Sequence, residues 1–148
     1  MNIRQFTLSD SEETSLVIRK ALVEVNSKDY PETVIRNLCQ KFAPENLKTL
    51  AQTRDIFVAT EHGRILGTVS LEQNTIYTVF VHPEYHGQGV GTRLMAHIEG
   101  VAQQQGHITV KLFASTTARR FYEKLGYKAV QEIHNEKTGT CIEMTKVL

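Results

Sequence analysis

The chain has 148 residues, enough for one ordinary domain burying about 68–70% of its unfolded surface, and too few for two. Lys and Arg number 17 against 16 Asp and Glu, a formal charge of +1. That balance argues against duplex nucleic acid as a main partner, because such binding is carried by many cations on phosphates, while 41% hydrophobic and 22% charged residues fit a globular protein and argue against disorder.

Residues 3–7 read as a short strand. Ser9 and Asp10, with Glu12 and Glu13 three positions on, form a capping-box signature. It precedes Leu16, Val17, Ala21, Leu22 and Val25 at helical spacing. Pro31 suits the first turn of a second helix, with Val34, Ile35, Leu38, Cys39 and Phe42 on one side. Pro44 opens a further short helix ending near Ala51. The period then changes to two. Residues 55–60 and 65–71 read as a hairpin around a Glu61-His62-Gly63-Arg64 turn, and residues 75–81 as a third strand ended by Pro83. Residues 92–105 are helical, with Leu94, Met95, Ile98, Val101 and Ala102 inward and Gly106 at the close. A strand over 108–113, a helix over 116–125 stopped by Gly126, and a hairpin of 129–134 with 141–147 complete the chain.

The order is β-α-α-β-β-β-α-β-α-β-β, which implies an α/β or α+β three-layer domain with a mixed sheet. The unit from Thr75 to Phe113 has βαβ form, so its two strands should be parallel. With no repeats and no linker, residues 1–148 read as a single domain. Apolar runs such as Val79-Phe80-Val81 fall far below the ~20 residues of a membrane span. The first residues lack a signal peptide's apolar stretch, so the expected compartment is cytoplasmic, with no membrane partner. Cys39 and Cys141 make neither a disulfide framework nor a four-ligand zinc site and read as small core hydrophobes.

The most informative stretch is Val81-His82-Pro83-Glu84-Tyr85-His86-Gly87-Gln88-Gly89-Val90-Gly91-Thr92. Three glycines at alternate positions lie between a strand and a helix whose first N–H groups lack partners, which makes an anion site without basic side chains. The spacing fits neither a Walker loop nor the G-x-G-x-x-G dinucleotide fingerprint. His82 and His86 stand four apart, but Pro83 between them argues against a metal pair, and no metal is expected.

This segment resembles motif A, Q/R-x-x-G-x-G/A, of the GNAT superfamily of acetyl-CoA-dependent N-acetyltransferases. His86 stands where the pattern has Gln or Arg, while Gly89 and Gly91 match. A second segment, from Ser115 to Tyr127, is similar to the family's N-x-x-A-x-x-F-Y-E-K-x-G-F/Y motif, with Ser115 in place of Asn and Ala118, Phe121, Tyr122, Glu123, Lys124, Gly126 and Tyr127 matching. The resemblance implies a mostly antiparallel sheet of about seven strands, splayed at a central parallel pair and flanked by about four helices. It also implies acetyl-CoA as cosubstrate. The pantetheine arm would pair with main-chain groups of Val79, Phe80 and Val81, the pyrophosphate would lie near His86 and on the N–H groups of Gly87, Gln88, Gly89, Val90, Gly91 and Thr92, and Ser115, Ala118 and Phe121 would flank the cofactor.

The implied reaction is attack of an amine on a thioester. A lysine-like amine must first lose a proton, at a cost of roughly 4–5 kcal/mol at pH 7. By pattern alone Tyr122 is a core aromatic; the resemblance makes it the general acid for the leaving thiolate. Glu72 and His82, at the ends of their strands, are the candidate bases, although each also reads as a surface residue near a turn. Tyr30, between the first two helices, is a candidate wall of the acceptor pocket. The expected partner is a small-molecule or peptide amine, with a homodimer compatible with the family. The alternative is an acyl-CoA-binding or sensing domain without catalysis.

Overall fold

The structure, a computed structural model, describes residues 1–137 and 139–148. In chain order it contains β1 (Asn2–Gln5), α1 (Ser11–Glu24), α2 (Glu32–Lys41), α3 (Pro44–Leu50), β2 (Asp55–Glu61), β3 (Arg64–Glu72), β4 (Thr75–Val81), α4 (Val90–Gln104), β5 (Thr109–Ala114), α5 (Arg119–Lys124), β6 (Lys128–Asn135) and β7 (Gly139–Val147). All seven strands join one sheet in the order β1-β2-β3-β4-β5-β7-β6. Every ladder is antiparallel except β4–β5, whose strands run parallel because α4 makes the crossover between them.

Two cores lie on opposite faces of the sheet, which makes the three layers. Val17, Ile18 and Leu22 of α1, Ile35 of α2 and Leu47 of α3 pack on Ile56 and Val58 of β2. Leu94, Met95, Ile98 and Ala102 of α4 pack on Val69, Leu71, Ile76, Val110 and Met144 from the other side. The central strand β3 is buried without a break from Ile65 to Leu71, as a strand covered on both faces should be.

The parallel pair is joined by a single register pair, Thr75 with Lys111, and the Lys111 N–H donates to the Asn74 carbonyl at 3.0 Å. Beyond that pair β4 and β5 diverge, so the sheet is splayed as the resemblance implies. Among the described residues no helix is long and apolar enough to cross a membrane.

Several expectations are corrected. The capping box falls one turn earlier than expected: the Asp10 carboxylate accepts the Thr7 N–H at 2.8 Å and the Thr7 hydroxyl at 3.0 Å. Arg4 holds that carboxylate with two bonds, at 2.8 and 2.9 Å, so the acid serves the β1–α1 corner and α1 starts at Ser11. Of the residues expected on the helical stripe, Leu16 is 49% exposed, while Val17, Ala21 and Leu22 are buried together with Ile18, and β5 starts at Thr109 rather than Ile108. The expected helix over 116–125 contracts to Arg119–Lys124 because turns occupy 116–118. The helix after the glycines starts two residues earlier than expected, at Val90. In line with the expectation of about four, five α-helices flank the sheet among the described residues, the Pro44 helix included. Position 138, inside the expected last turn, lies outside the described residues.

Candidate active site

The geometry starts with an irregularity in β4. Thr68 pairs with Phe80 and Ser70 with Tyr77, so Thr78 and Val79 together face Val69. Thr78 takes φ of +53°, a region that a β-branched residue rarely enters. Its hydroxyl is hydrogen-bonded to that of Ser70, and both residues are buried. A bulge of this kind bends the strand and re-aims the residues beyond the bend. Val79, Phe80 and Val81 consequently line an open groove of about 490 Å³ between the diverging strands.

The far end of the groove is the glycine loop. Gly89 caps α4 with φ of +81°, a conformation that glycine enters without a steric cost. The first intrahelical bond runs from the Arg93 N–H to the Gly89 carbonyl at 3.1 Å. The N–H groups of Val90, Gly91 and Thr92 therefore have no helical partner, and glycine offers no side chain to cap them. They carry the positive end of a 15-residue helix into the groove, which suits an anion. Space at Gly91 is tight: a Cβ there would stand 3.2 Å from the Phe121 ring. His86 Nε2 donates to the Val81 carbonyl at 3.1 Å, so this side chain props the loop against the end of β4. Gly87, Gly89, Val90, Gly91, Thr92 and His86 all line the groove, and Gln88 does not.

The other wall comes from the segment after β5. Ser115 Oγ accepts the Ala118 N–H at 3.3 Å, which shapes the turn into α5. Tyr122 is buried, packed edge-on against Phe121 at 5.0 Å and Tyr127 at 5.9 Å. Its hydroxyl has no partner among the described residues, and burial raises its pKa above the ordinary tyrosine value, so it stays protonated and able to donate. Ala118 and Phe121 line the groove.

A second cavity of about 400 Å³ meets the groove at Val79, Phe80, Ser115, Ala118 and Tyr122. Its outer walls come from the α1–α2 join, the end of α2 and the last hairpin. Tyr30 lies there as expected, its ring pressed on the backbone of Gly139, where a Cβ would collide with it. Burial is the main reason that the Tyr30 hydroxyl is pushed up to about 12. Beside it, the Asp29 carboxylate accepts the Thr117 N–H at 3.0 Å and the Thr117 hydroxyl at 2.6 Å.

The structure brings the predicted groove residues and Tyr122 together but leaves Glu72 and His82 outside. Glu72 sits at the β3–β4 turn, opposite Thr75, ion-paired with Arg54 at 3.6 Å. His82 is buried, its Nδ1 accepts the Glu84 N–H at 3.1 Å, and its ring meets Tyr85 edge-on at 5.5 Å. Neither lines the groove or the second cavity. Cys141 is half-buried and faces the second cavity rather than the core. Asp29, Thr78 and Lys41 were not singled out by the sequence: Asp29 meets a partner 88 residues away, and nothing local marks that meeting. Among the described residues no group of three or more His, Cys, Asp or Glu could hold a metal ion.

The family model described as "Acetyltransferase (GNAT) domain" matches residues 25–148. A Bacillus subtilis (strain 168) protein assigned as an acetyltransferase is 30% identical over 139 residues, covering 89% of this chain and 86% of the relative. A GCN5-related N-acetyltransferase from Rhodopseudomonas palustris superposes with a TM-score of 0.91 at 25% identity, over 99% of this chain and 95% of that one. The PaiA N-acetyltransferase from Thermoplasma acidophilum, solved in complex with coenzyme A, superposes with a TM-score of 0.83 at 19% identity, over 99% and 98% of the two chains. With the family model spanning most of its length, the chain belongs to the GNAT family and is an N-acetyltransferase, an acyltransferase enzyme.

Proposed function

We propose that the protein transfers an acetyl group from acetyl-CoA to a primary amine of a small molecule or peptide, by direct attack within a ternary complex. The observation that carries this reading is the meeting of two cavities at Tyr122, one ending at uncapped helix amides and the other walled by the first helices and last hairpin. The coenzyme A in the Thermoplasma relative's structure supports the groove as the cosubstrate's place.

The pantetheine arm pairs with β4 main chain at Val79–Val81 as an added strand, and the pyrophosphate rests on the N–H groups of Val90, Gly91 and Thr92. The acceptor enters from the second cavity. Its nitrogen forms a bond to the thioester carbonyl carbon, the C–S bond breaks, and the sulfur leaves as thiolate. Tyr122 gives the thiolate a proton or a hydrogen bond. The nitrogen sheds its own proton to water, because no carboxylate or imidazole lines the second cavity among the described residues.

Thiol release from acetyl-CoA with a panel of primary amines tests the reading. Amine-dependent release is the expected result. Thermal stabilisation by acetyl-CoA with no release from any amine would mark a binding domain instead.

A further inference from the structure

The second cavity has an unbalanced charge. Lys41, exposed at its mouth at the end of α2, makes no ion pair or hydrogen bond among the described residues; its ammonium lies 5.6 Å from the ring of its neighbour Phe42. Burial and the nearby Arg54 both push the Lys41 pKa down, as for a cation without a counter-ion. Arg54 stands behind the wall, stacked on the ring of the lining residue Tyr77 at 3.9 Å. Three carboxylates on elements that wall the cavity or adjoin it have partners of their own: Glu72 pairs with Arg54, Asp29 with Thr117, and Glu143 with Gln131 at 2.9 Å. None of the three lines the cavity, and much of the remaining wall is apolar, including Leu22, Leu38, Phe42 and Ile133.

We propose, resting on the transferase reading above, that the acceptor is a monoamine with an apolar body and an anionic group that pairs with Lys41, of the kind found in apolar amino acids. Two physical consequences agree. An anionic group supplies the missing counter-charge at Lys41. A polycationic amine would bring several ammonium groups against like charge with no acid to receive them.

The test compares leucine, methionine and phenylalanine with their carboxamides and with spermidine, in amine-dependent thiol release and in melting-temperature shift with CoA present. The carboxamide has the less basic amine, so proton availability favours it, and a preference for the acid must come from the carboxylate. The expected result is kcat/KM higher for the acids by about two- to fivefold, the size of an exposed charge pair. Lys41→Met should collapse that ratio towards one through KM, and Lys41→Arg should keep it. Better turnover of spermidine or of the carboxamides, no turnover of any of the acids, or a ratio unmoved by Lys41→Met would overturn the proposal. Failure of the transferase reading is separately visible: no amine of any class would then release thiol, whether or not acetyl-CoA stabilises the protein.

Discussion

Replacing Tyr122 by Phe removes one hydroxyl and keeps the ring, so the edge-on packing against Phe121 and Tyr127 should survive. If the hydroxyl assists the thiolate, the loss falls in the transition state, and kcat should drop by about 10²-fold, the lower end for a general acid. The acetyl-CoA dissociation constant should stay nearly constant, since one neutral hydrogen bond contributes about 1 kcal/mol. Steady-state kinetics alongside a binding titration check both halves. Burial raises the Tyr122 pKa, so its proton remains bound as pH rises, and a pH–kcat profile should show no alkaline fall up to about pH 10. At this scale Tyr122 was legible because it lies inside a contiguous motif. Lys41, Asp29 and Thr78 were not, because their surroundings are made by chain segments far away in sequence. Glu72 and His82 were named for their positions at strand ends, and strand ends point to several places: Glu72 to an arginine at the turn, His82 to a backbone N–H.

Among the elements, α4 is the most exacting. Gly89→Val should cost about 1–2 kcal/mol of stability through the left-handed conformation alone. It should also weaken acetyl-CoA binding more than the loss of fold explains, since the loop aims the three open amides. Calorimetric titration of the folded variant checks this. At the β1–α1 corner, the hydrogen bonds from Arg4 outweigh burial and hold the Asp10 carboxyl at about 2. A depressed carboxylate pKa stabilises the fold above the ordinary value near 4 and loses that contribution as pH falls through the depressed one. Asp10→Ala should therefore cost about 1 kcal/mol near neutral pH, with the gap to the parent narrowing as denaturation is measured from about pH 4 downward. Element type and order were legible from periodicity because the core stripes of α1, α2 and α4 are regular. Element ends were less so: Ser9 and Asp10 offered several capping registers, and the choice among them came from Arg4, which reaches the corner from β1.

At the scale of the whole molecule, the sheet is two antiparallel halves, β1 to β4 and β5 to β7, meeting at one register pair. The Asp29–Thr117 contact crosses between them, tying the α1–α2 join to the segment after β5. Asp29→Ala should leave both halves folded and raise KM for acetyl-CoA, with a stability loss of about 1 kcal/mol; an unchanged KM would show that the contact does not shape the groove. Acetyl-CoA at 100 times its dissociation constant should stabilise the fold by about 2.7 kcal/mol, read as a melting-temperature rise that NAD and ATP do not match. The two halves were legible as a consequence of the family resemblance, whereas no pattern within β4 announced the bulge. Between catalytic cycles the free protein thus carries an unsatisfied strand edge in its interior, where most proteins have one only at their margins. Such an edge recruits whatever extended backbone comes within reach, so cofactor-free samples should self-associate on concentration, and coenzyme A should act on them as a solubilising cap that light scattering can follow.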